Sequence, residues 1–197
     1  MTDDSPRFVT VVSGLPRSGT SMMMQMLSAG GLAVLADQIR EADSDNVKGY
    51  FELEPVKATK RDASWVEGAV GKAVKVVYLL LSDLPVKFEY RVLFLRRDLQ
   101  EVVRSQQKML LRRGEAGAGG ESGQMVAMFQ RQIEKTEQWL DRQANFQSLD
   151  VMHGNVIEDP QAEAQRVSDF LQIPLDTTAM AAVVDPLLYR QRTDAAS

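Results

Sequence analysis

Short apolar runs alternate with amphipathic segments along most of the chain. The runs predict strands over residues 7–13, 73–80, 90–95 and 148–152, and a weaker strand over 32–35. Several runs, such as the Val-Leu-Phe-Leu stretch at 92–95, are apolar at every position. That pattern is typical of strands buried on both faces of a parallel sheet.

Helical patterns lie between the predicted strands, over residues 20–29, 54–68, 99–111, 124–142 and 160–171. Asp159 and Pro160 form a cap and first-turn signal for the last of them. Strands that alternate with helices predict right-handed β-α-β units. We therefore expect an α/β, three-layer P-loop-type fold with a central parallel sheet flanked by helices, in a single domain over 1–197, with a mobile glycine-rich loop over 113–123.

Composition narrows the class of protein. The 197 residues are 44% hydrophobic and 25% charged, as in a globular protein, and the net charge of −4 argues against broad nucleic-acid binding. The absence of cysteine excludes disulfides, and one histidine, His153, excludes a histidine-rich metal centre. The polar start of the chain and the lack of an apolar run of about 18 residues predict a cytoplasmic protein without a membrane span.

Residues 13–21, here called the phosphate loop, read Ser-Gly-Leu-Pro-Arg-Ser-Gly-Thr-Ser after an apolar strand. Nucleotide-hydrolysing loops have the form G-x-x-x-x-G-K-[ST], in which the lysine contacts the β- and γ-phosphates. Gly14 and Gly19 keep that spacing, but Thr20 stands in the lysine position and the basic residue is Arg17. The loop still predicts anion binding by backbone N–H groups, without γ-phosphate transfer.

A second motif, residues 97–105, follows the strand predicted over 90–95. Arg97 comes at the carboxyl end of that strand, and Ser105 lies eight residues later on the next helix. Ligands bind at the carboxyl edge of a parallel sheet. A guanidinium fork and a hydroxyl can therefore converge there on one phosphate.

Together the two motifs resemble those of the sulfotransferases that use 3′-phosphoadenosine-5′-phosphosulfate (PAPS), in the style of bacterial members and the tyrosylprotein branch. Residues 16–21 match the family form P-[KR]-S-G-T-[TS]. The second motif matches R-[ND]-P-x-[DE]-x-x-x-S, with Leu99 in place of proline. Residues 149–160 resemble a later family segment, where His153 occupies the family's tyrosine position, on the adenine side of the cofactor. The resemblance covers about residues 8–175.

The resemblance implies a metal-independent enzyme that moves a sulfuryl group from PAPS to a hydroxyl or amine of a small molecule or peptide, and releases 3′,5′-adenosine bisphosphate. It implies that Arg97 and Ser105 bind the 3′-phosphate, and that Arg190 lies where other members supply a basic segment to it. The 5′-phosphosulfate would be held by Arg17, Ser18, Gly19, Thr20 and Ser21.

The resemblance also implies catalytic roles for Arg17, Asp37 and Lys75. Lys75 matches a strand lysine near the family's active site, although an edge-of-strand surface lysine fits the sequence equally well. The family's K-T-H strand pattern is absent because Val76 and Val77 follow Lys75. The general base is therefore expected to be a carboxylate in the polar segment 36–52, with Asp37 first and then Glu41 or Asp43.

Two other functions remain open from the sequence. A P-loop nucleotide kinase or NTPase shares the loop class, but Thr20 in the lysine position counts against it. A catalytically inactive nucleotide-binding module would bind the bisphosphate without turnover. The acceptor and the oligomeric state are not encoded in any motif of this chain.

Overall fold

A computed structural model describes residues 6–37, 51–112, 114 and 122–185. Five strands form one sheet in which every pair is parallel, in the order β2-β3-β1-β4-β5. The strands are β1 (Phe8–Gly14), β2 (Val34–Leu35), β3 (Ala73–Lys75), β4 (Glu89–Arg96) and β5 (Phe146–Met152). The prediction of an α/β fold with a central parallel sheet is confirmed.

Helices cover both faces of this sheet. The α-helices are α1 (Thr20–Ala29), α2 (Leu99–Arg112), α3 (Ser122–Leu140), α4 (His153–Glu158), α5 (Pro160–Leu171) and α6 (Thr177–Ala182). Short 3-10 helices cover Glu54–Ala58, Ser64–Ala69 and Tyr78–Asp83. Among the described residues, no helix has both the length and the apolar character needed to cross a membrane.

Alternate side chains of β1 enter two separate cores. Val9 and Val11 pack with buried residues of α2 and α3, whereas Val12 packs with those of α1, α5 and α6. All three valines are 0% exposed, as expected for a central strand with helices on both faces. Two helical layers therefore enclose the sheet, and its carboxyl edge is where the connecting loops meet.

The strand order reverses next to β1. Connections lead from β1 to β2 and β3 on one side of it, and later to β4 and β5 on the other side. A crevice forms at such a point of an open α/β sheet, at the carboxyl ends of the strands. The phosphate loop follows β1 and therefore lies at this crevice.

The prediction of a strand over 73–80 was wrong beyond Lys75. Residues Tyr78–Asp83 form a 3-10 helix, in which Tyr78 and Leu81 are buried while Val77 and Leu79 are exposed. The burial period is three instead of two, as a 3-10 helix requires. A short apolar run does not distinguish these two periods by composition alone.

The helix predicted over 54–68 is two 3-10 helices, Glu54–Ala58 and Ser64–Ala69. Between them the Asp62 carboxylate accepts a hydrogen bond from the Ser64 backbone N–H, which favours a turn over a continuous helix. The short helices α4 and α6 were not predicted. Of the loop predicted over 113–123, residues 122 and 123 belong to α3, Gly114 is in a turn, and the others lie outside the described residues.

Candidate active site

The phosphate loop is a tight turn between β1 and α1. Gly14, Arg17 and Gly19 have φ angles of 143°, 73° and 103°. The backbone N–H and the hydroxyl of Ser18 both donate to the Leu15 carbonyl, at 3.2 and 2.7 Å. Met23 N–H donates to the Gly19 carbonyl at 3.1 Å and begins the hydrogen-bond ladder of α1. The loop therefore delivers the N-terminus of α1, with its buried first residue Thr20, to the carboxyl edge of the sheet.

Both glycines of the loop are in contact with neighbouring elements. A Cβ atom at Gly14 would lie 2.6 Å from the Leu95 carbonyl oxygen of β4. A Cβ atom at Gly19 would lie 2.6 Å from Cδ2 of His153. Because the φ angles at both positions are also positive, only glycine fits without strain. The loop is thus packed against the end of β4 and the beginning of α4.

The second motif contacts the phosphate loop directly. Arg17 Nε donates to Ser105 Oγ at 3.0 Å, and an Nη1 hydrogen of Arg97 goes to the Arg17 carbonyl oxygen at 3.1 Å. Ser105 is on α2, which begins just after β4, and it is 7% exposed. The structure therefore brings Arg17, Arg97 and Ser105 together at one point of the sheet edge.

Glu101 is a site residue that the sequence analysis did not single out. Its carboxylate accepts from Arg97 Nε at 2.9 Å, and its side chain is only 2% exposed. The Asp98 carboxylate accepts from the Glu101 backbone N–H at 3.0 Å and fixes the first turn of α2. A charged side chain is buried to this degree when it is paired. The sequence signal for this role was the place of Glu101 at the acidic position of the second motif.

His153 lies beside this ion pair. The register of β4 and β5 pairs Arg96 with Met152, so Arg97 and His153 follow the ends of adjacent strands at the same level. Burial, and secondly the positive charge of Arg97, lower the pKa of His153 to about 4, while the negative charge of Glu101 opposes them. The imidazole is therefore neutral at pH 7.

Lys75 is at the carboxyl end of β3, next to the first turn of α1. Its Nζ donates to Ser21 Oγ at 3.2 Å. The parallel register pairs Lys75 with Val12, near the end of β1. The lysine is half-buried and lies at the same sheet edge as the phosphate loop, on the α1 side, whereas Ser105 lies on the α2 side.

Asp37 lies two residues beyond β2, at the same edge of the sheet. Its Oδ2 accepts from the Glu54 backbone N–H at 2.5 Å, at the start of the 3-10 helix Glu54–Ala58. Strands in a sheet are about 4.8 Å apart, so β2 lies roughly 10 Å from β1. Asp37 is thus one strand farther from the phosphate loop than Lys75. Glu41, Asp43 and Arg190 lie outside the described residues.

Comparison with solved structures identifies the fold of this chain. No protein-family model and no curated protein matches the chain. Among solved structures, the sulfotransferase domain of the Synechococcus PCC 7002 olefin synthase is similar, at 15% identity and a TM-score of 0.55, over 100% of this chain and 92% of that one. The chain has a sulfotransferase fold.

Two further structures share this sulfotransferase fold. A sulfotransferase domain from the curacin biosynthetic pathway matches at 12% identity and a TM-score of 0.55, over 98% of this chain and 94% of that one. A sulfotransferase from Alicyclobacillus acidocaldarius matches at 15% identity and a TM-score of 0.52, over 92% of this chain and 88% of that one. The fold implied by the sequence motifs is therefore confirmed.

Within the sulfotransferase fold, the charges at the sheet edge favour an anionic ligand. Arg17, Arg97 and Lys75 supply positive charge, and the N-terminus of α1 adds its partial positive charge. The buried carboxylate of Glu101 neutralises part of it. Two separate groups of donors, on the α1 and α2 sides of the phosphate loop, suit a ligand with more than one anionic group.

Proposed function

We propose that this protein is a PAPS-dependent sulfotransferase that transfers a sulfuryl group to a hydroxyl or amine acceptor, either a small molecule or a peptide. The observation that carries the proposal is the contact between Arg17 Nε and Ser105 Oγ, which joins the phosphate loop to the second motif. One site then presents donors for two phosphate positions of the same nucleotide.

The residues present fit such a ligand. Gly14 and Gly19 let the loop turn tightly against β4 and α4, and Gly19 is the N-cap of α1. We assign Arg17 and the amides of Ser18, Gly19, Thr20 and Ser21 to the 5′-phosphosulfate. Arg97 and Ser105 are assigned to the 3′-phosphate, the group that distinguishes PAPS from ATP. Arg190 is assigned there too, on the resemblance alone.

PAPS supplies an activated sulfuryl group when it is bound. Sulfuryl transfer, like phosphoryl transfer, is accelerated mainly by positioning and by stabilising charge on oxygen atoms. Arg17 and the loop amides are placed to stabilise charge on the departing phosphate. We assign to Lys75, which donates to Ser21 Oγ, the stabilisation of charge on the sulfuryl oxygens.

Asp37 is the proposed general base. Its carboxylate caps the 3-10 helix Glu54–Ala58 through one oxygen, Oδ2. An ionised carboxylate has about four lone-pair positions on its two oxygens, so capping leaves capacity to accept the proton of an acceptor hydroxyl. Glu41 and Asp43 remain the alternatives. The proposed compartment is the cytoplasm, and the proposed nucleotide product is 3′,5′-adenosine bisphosphate.

Calorimetry with 3′,5′-adenosine bisphosphate, ADP and ATP–magnesium tests the proposal. We expect clear preference for the bisphosphate, because ADP and ATP lack the 3′-phosphate assigned to Arg97 and Ser105. In Arg97→Ala that preference is lost. Arg104→Ala is the control, since Arg104 is an exposed arginine on α2, the helix that follows Arg97, and its side chain bonds Gln100.

The other outcomes identify the rival functions. Equal or tighter binding of ATP–magnesium contradicts a sulfotransferase and favours an NTPase. Binding of the bisphosphate without sulfuryl transfer from PAPS to any member of an acceptor panel favours an inactive nucleotide-binding module. Arg97→Ala also leaves Glu101 without its arginine, so the double variant Arg97→Met/Glu101→Leu is measured in parallel to separate ligand loss from misfolding.

A further inference from the structure

The imidazole of His153 occupies the space that a side chain at position 19 would need. Its Cδ2 atom lies 2.6 Å from where a Cβ on Gly19 would be, and its Nε2 lies 3.6 Å from the same point. Gly19 has a φ of 103° and is the N-cap of α1. The ring is therefore packed against the backbone of the phosphate loop at Gly19.

The ring has little freedom to leave that contact. His153 is 7% exposed and is the first residue of α4, directly after β5. The following helix is anchored by Val156, which is 0% exposed in the core shared with α1 and α5. Dense packing of this kind transmits the position of one element to the next.

The ring also lies within electrostatic range of the ion pair of Arg97 and Glu101. Both charges act on His153 across the junction of β4 and β5. The imidazole thus packs against Gly19 of the phosphate loop and lies close enough to Arg97 for the positive charge to affect it.

We propose that His153 is a positioning residue that braces the phosphate loop at Gly19 and so aims the backbone N–H groups of residues 18–21 at the 5′-phosphate. This inference rests on the proposed function, because it presumes that the loop holds that phosphate. The brace acts through the edge of the ring and not through a hydrogen bond to the nucleotide base. We therefore expect His153 to affect binding of the 5′-phosphate and not binding of the 3′-phosphate.

Three ligands distinguish a positioning role of His153 from a direct contact with adenine. Affinities for 5′-AMP, 3′-AMP and 3′,5′-adenosine bisphosphate are measured by calorimetry on wild type, His153→Ala and His153→Phe. We expect His153→Ala to bind 5′-AMP and the bisphosphate on the order of tenfold more weakly, as for one misplaced hydrogen bond to a charged group. The affinity for 3′-AMP stays within about twofold, and His153→Phe, which keeps an aromatic edge against Gly19, restores most of the loss for the other two.

Each other result overturns the brace. Equal weakening of all three ligands indicates an adenine contact, and unchanged binding of 5′-AMP by His153→Ala shows that the ring does not position the loop. Loss in His153→Phe equal to that in His153→Ala assigns the effect to the ring nitrogens. Should His153→Ala fail to fold, His153→Leu fills the volume without a ring edge and takes its place. Failure of wild type to bind the bisphosphate overturns the proposed function itself and is seen before any variant is measured.

Discussion

Arg17 Nε donates a hydrogen bond of 3.0 Å to Ser105 Oγ across 88 positions of the sequence. A serine hydroxyl can accept from Arg17 and still donate its own hydrogen to a second group. Ser105 is therefore placed to hold the arginine of the phosphate loop and to donate to a phosphate at the same time. This contact makes the two motifs parts of one site.

Replacement of Ser105 by alanine tests that contact. The variant removes the acceptor for Arg17 and one donor to the proposed 3′-phosphate, and a net hydrogen bond is worth about 0.5–1.5 kcal/mol. We expect the dissociation constant for 3′,5′-adenosine bisphosphate to rise by roughly two- to tenfold per hydrogen bond lost. Ser148→Ala, an exposed position of β5, serves as the control and keeps wild-type affinity. Equal affinity of both variants in calorimetry would contradict a role for Ser105.

Glu101 and Arg97 form an ion pair whose side chains are 2% and 10% exposed. Removal of one partner from a buried pair leaves an uncompensated charge and costs about 3–5 kcal/mol. Glu101→Leu should therefore lower the free energy of unfolding by that order, as measured by urea denaturation. The double variant Arg97→Met/Glu101→Leu should recover most of it, because an apolar pair of similar volume is often neutral. A double variant as unstable as the single one would contradict this explanation.

The fold was predictable where burial leaves a simple pattern. β4 is apolar from Val92 to Leu95 and lies inside the sheet between β1 and β5, so both of its faces are buried and its sequence predicts a strand without ambiguity. The segment after Lys75 is equally apolar, but there Tyr78 and Leu81 pack inward at a period of three. Whether this segment forms a strand or a 3-10 helix depends on the residues that it packs against, since the Tyr78 hydroxyl bonds the side chain of Gln132 on α3. The linear pattern does not contain this contact.

The two motifs of the candidate site were predictable from the sequence, but the side-chain contacts that join and support them were not. The spacing of glycines and arginines indicated candidate anion-binding residues, because such roles are local to a loop or a helix turn. The packing of His153 on Gly19 joins positions far apart in the chain, and nothing near either residue signals it. Glu101 stands at the acidic position of the second motif, yet its burial follows from the sheet order, which places α2 beside the phosphate loop.

Lys75→Met tests the charge beside Ser21. If Lys75 stabilises the sulfuryl oxygens, its loss should reduce the rate of transfer from PAPS on the order of 10²-fold, as for removal of one oxyanion donor. Binding of the bisphosphate, which lacks the sulfuryl group, should change little. Lys72→Met is the control, because Lys72 lies just before the amino end of the same strand and donates to the Gly68 carbonyl. A parallel loss of affinity for PAPS and for the bisphosphate would instead assign Lys75 to the nucleotide.

Asp37→Asn separates proton transfer from helix capping. Asparagine caps a helix about as well as aspartate, so the hydrogen bond from Glu54 N–H is retained. A lost general base lowers turnover by about 10²–10⁴-fold, with the affinity for the bisphosphate unchanged. Asp62→Asn is the matched control, since Asp62 accepts from Ser64 N–H at the start of another 3-10 helix. Single-turnover transfer from PAPS at the wild-type rate in Asp37→Asn would assign the base to Glu41 or Asp43.

The stability of the protein should depend on the charge of its one histidine. In the folded chain the pKa of His153 is about 4, lowered by burial and by Arg97 and raised in part by Glu101, against an ordinary value of 6.5. As the pH falls from about 6.5 to about 4, the unfolded chain binds a proton that the folded chain does not, so the free energy of unfolding falls by roughly 3 kcal/mol. The contribution is complete above pH 6.5 and is lost at pH 4.

Urea denaturation of wild type and His153→Phe at a series of pH values isolates this effect. Carboxylates also titrate in the range, but they do so in both proteins and cancel in the difference. The stability of wild type relative to His153→Phe should therefore decline between pH 6.5 and pH 4 and become constant outside that window. A difference that is flat across the range would mean that the ring is solvated or gains a proton in the folded state, and would contradict a neutral imidazole packed against Gly19.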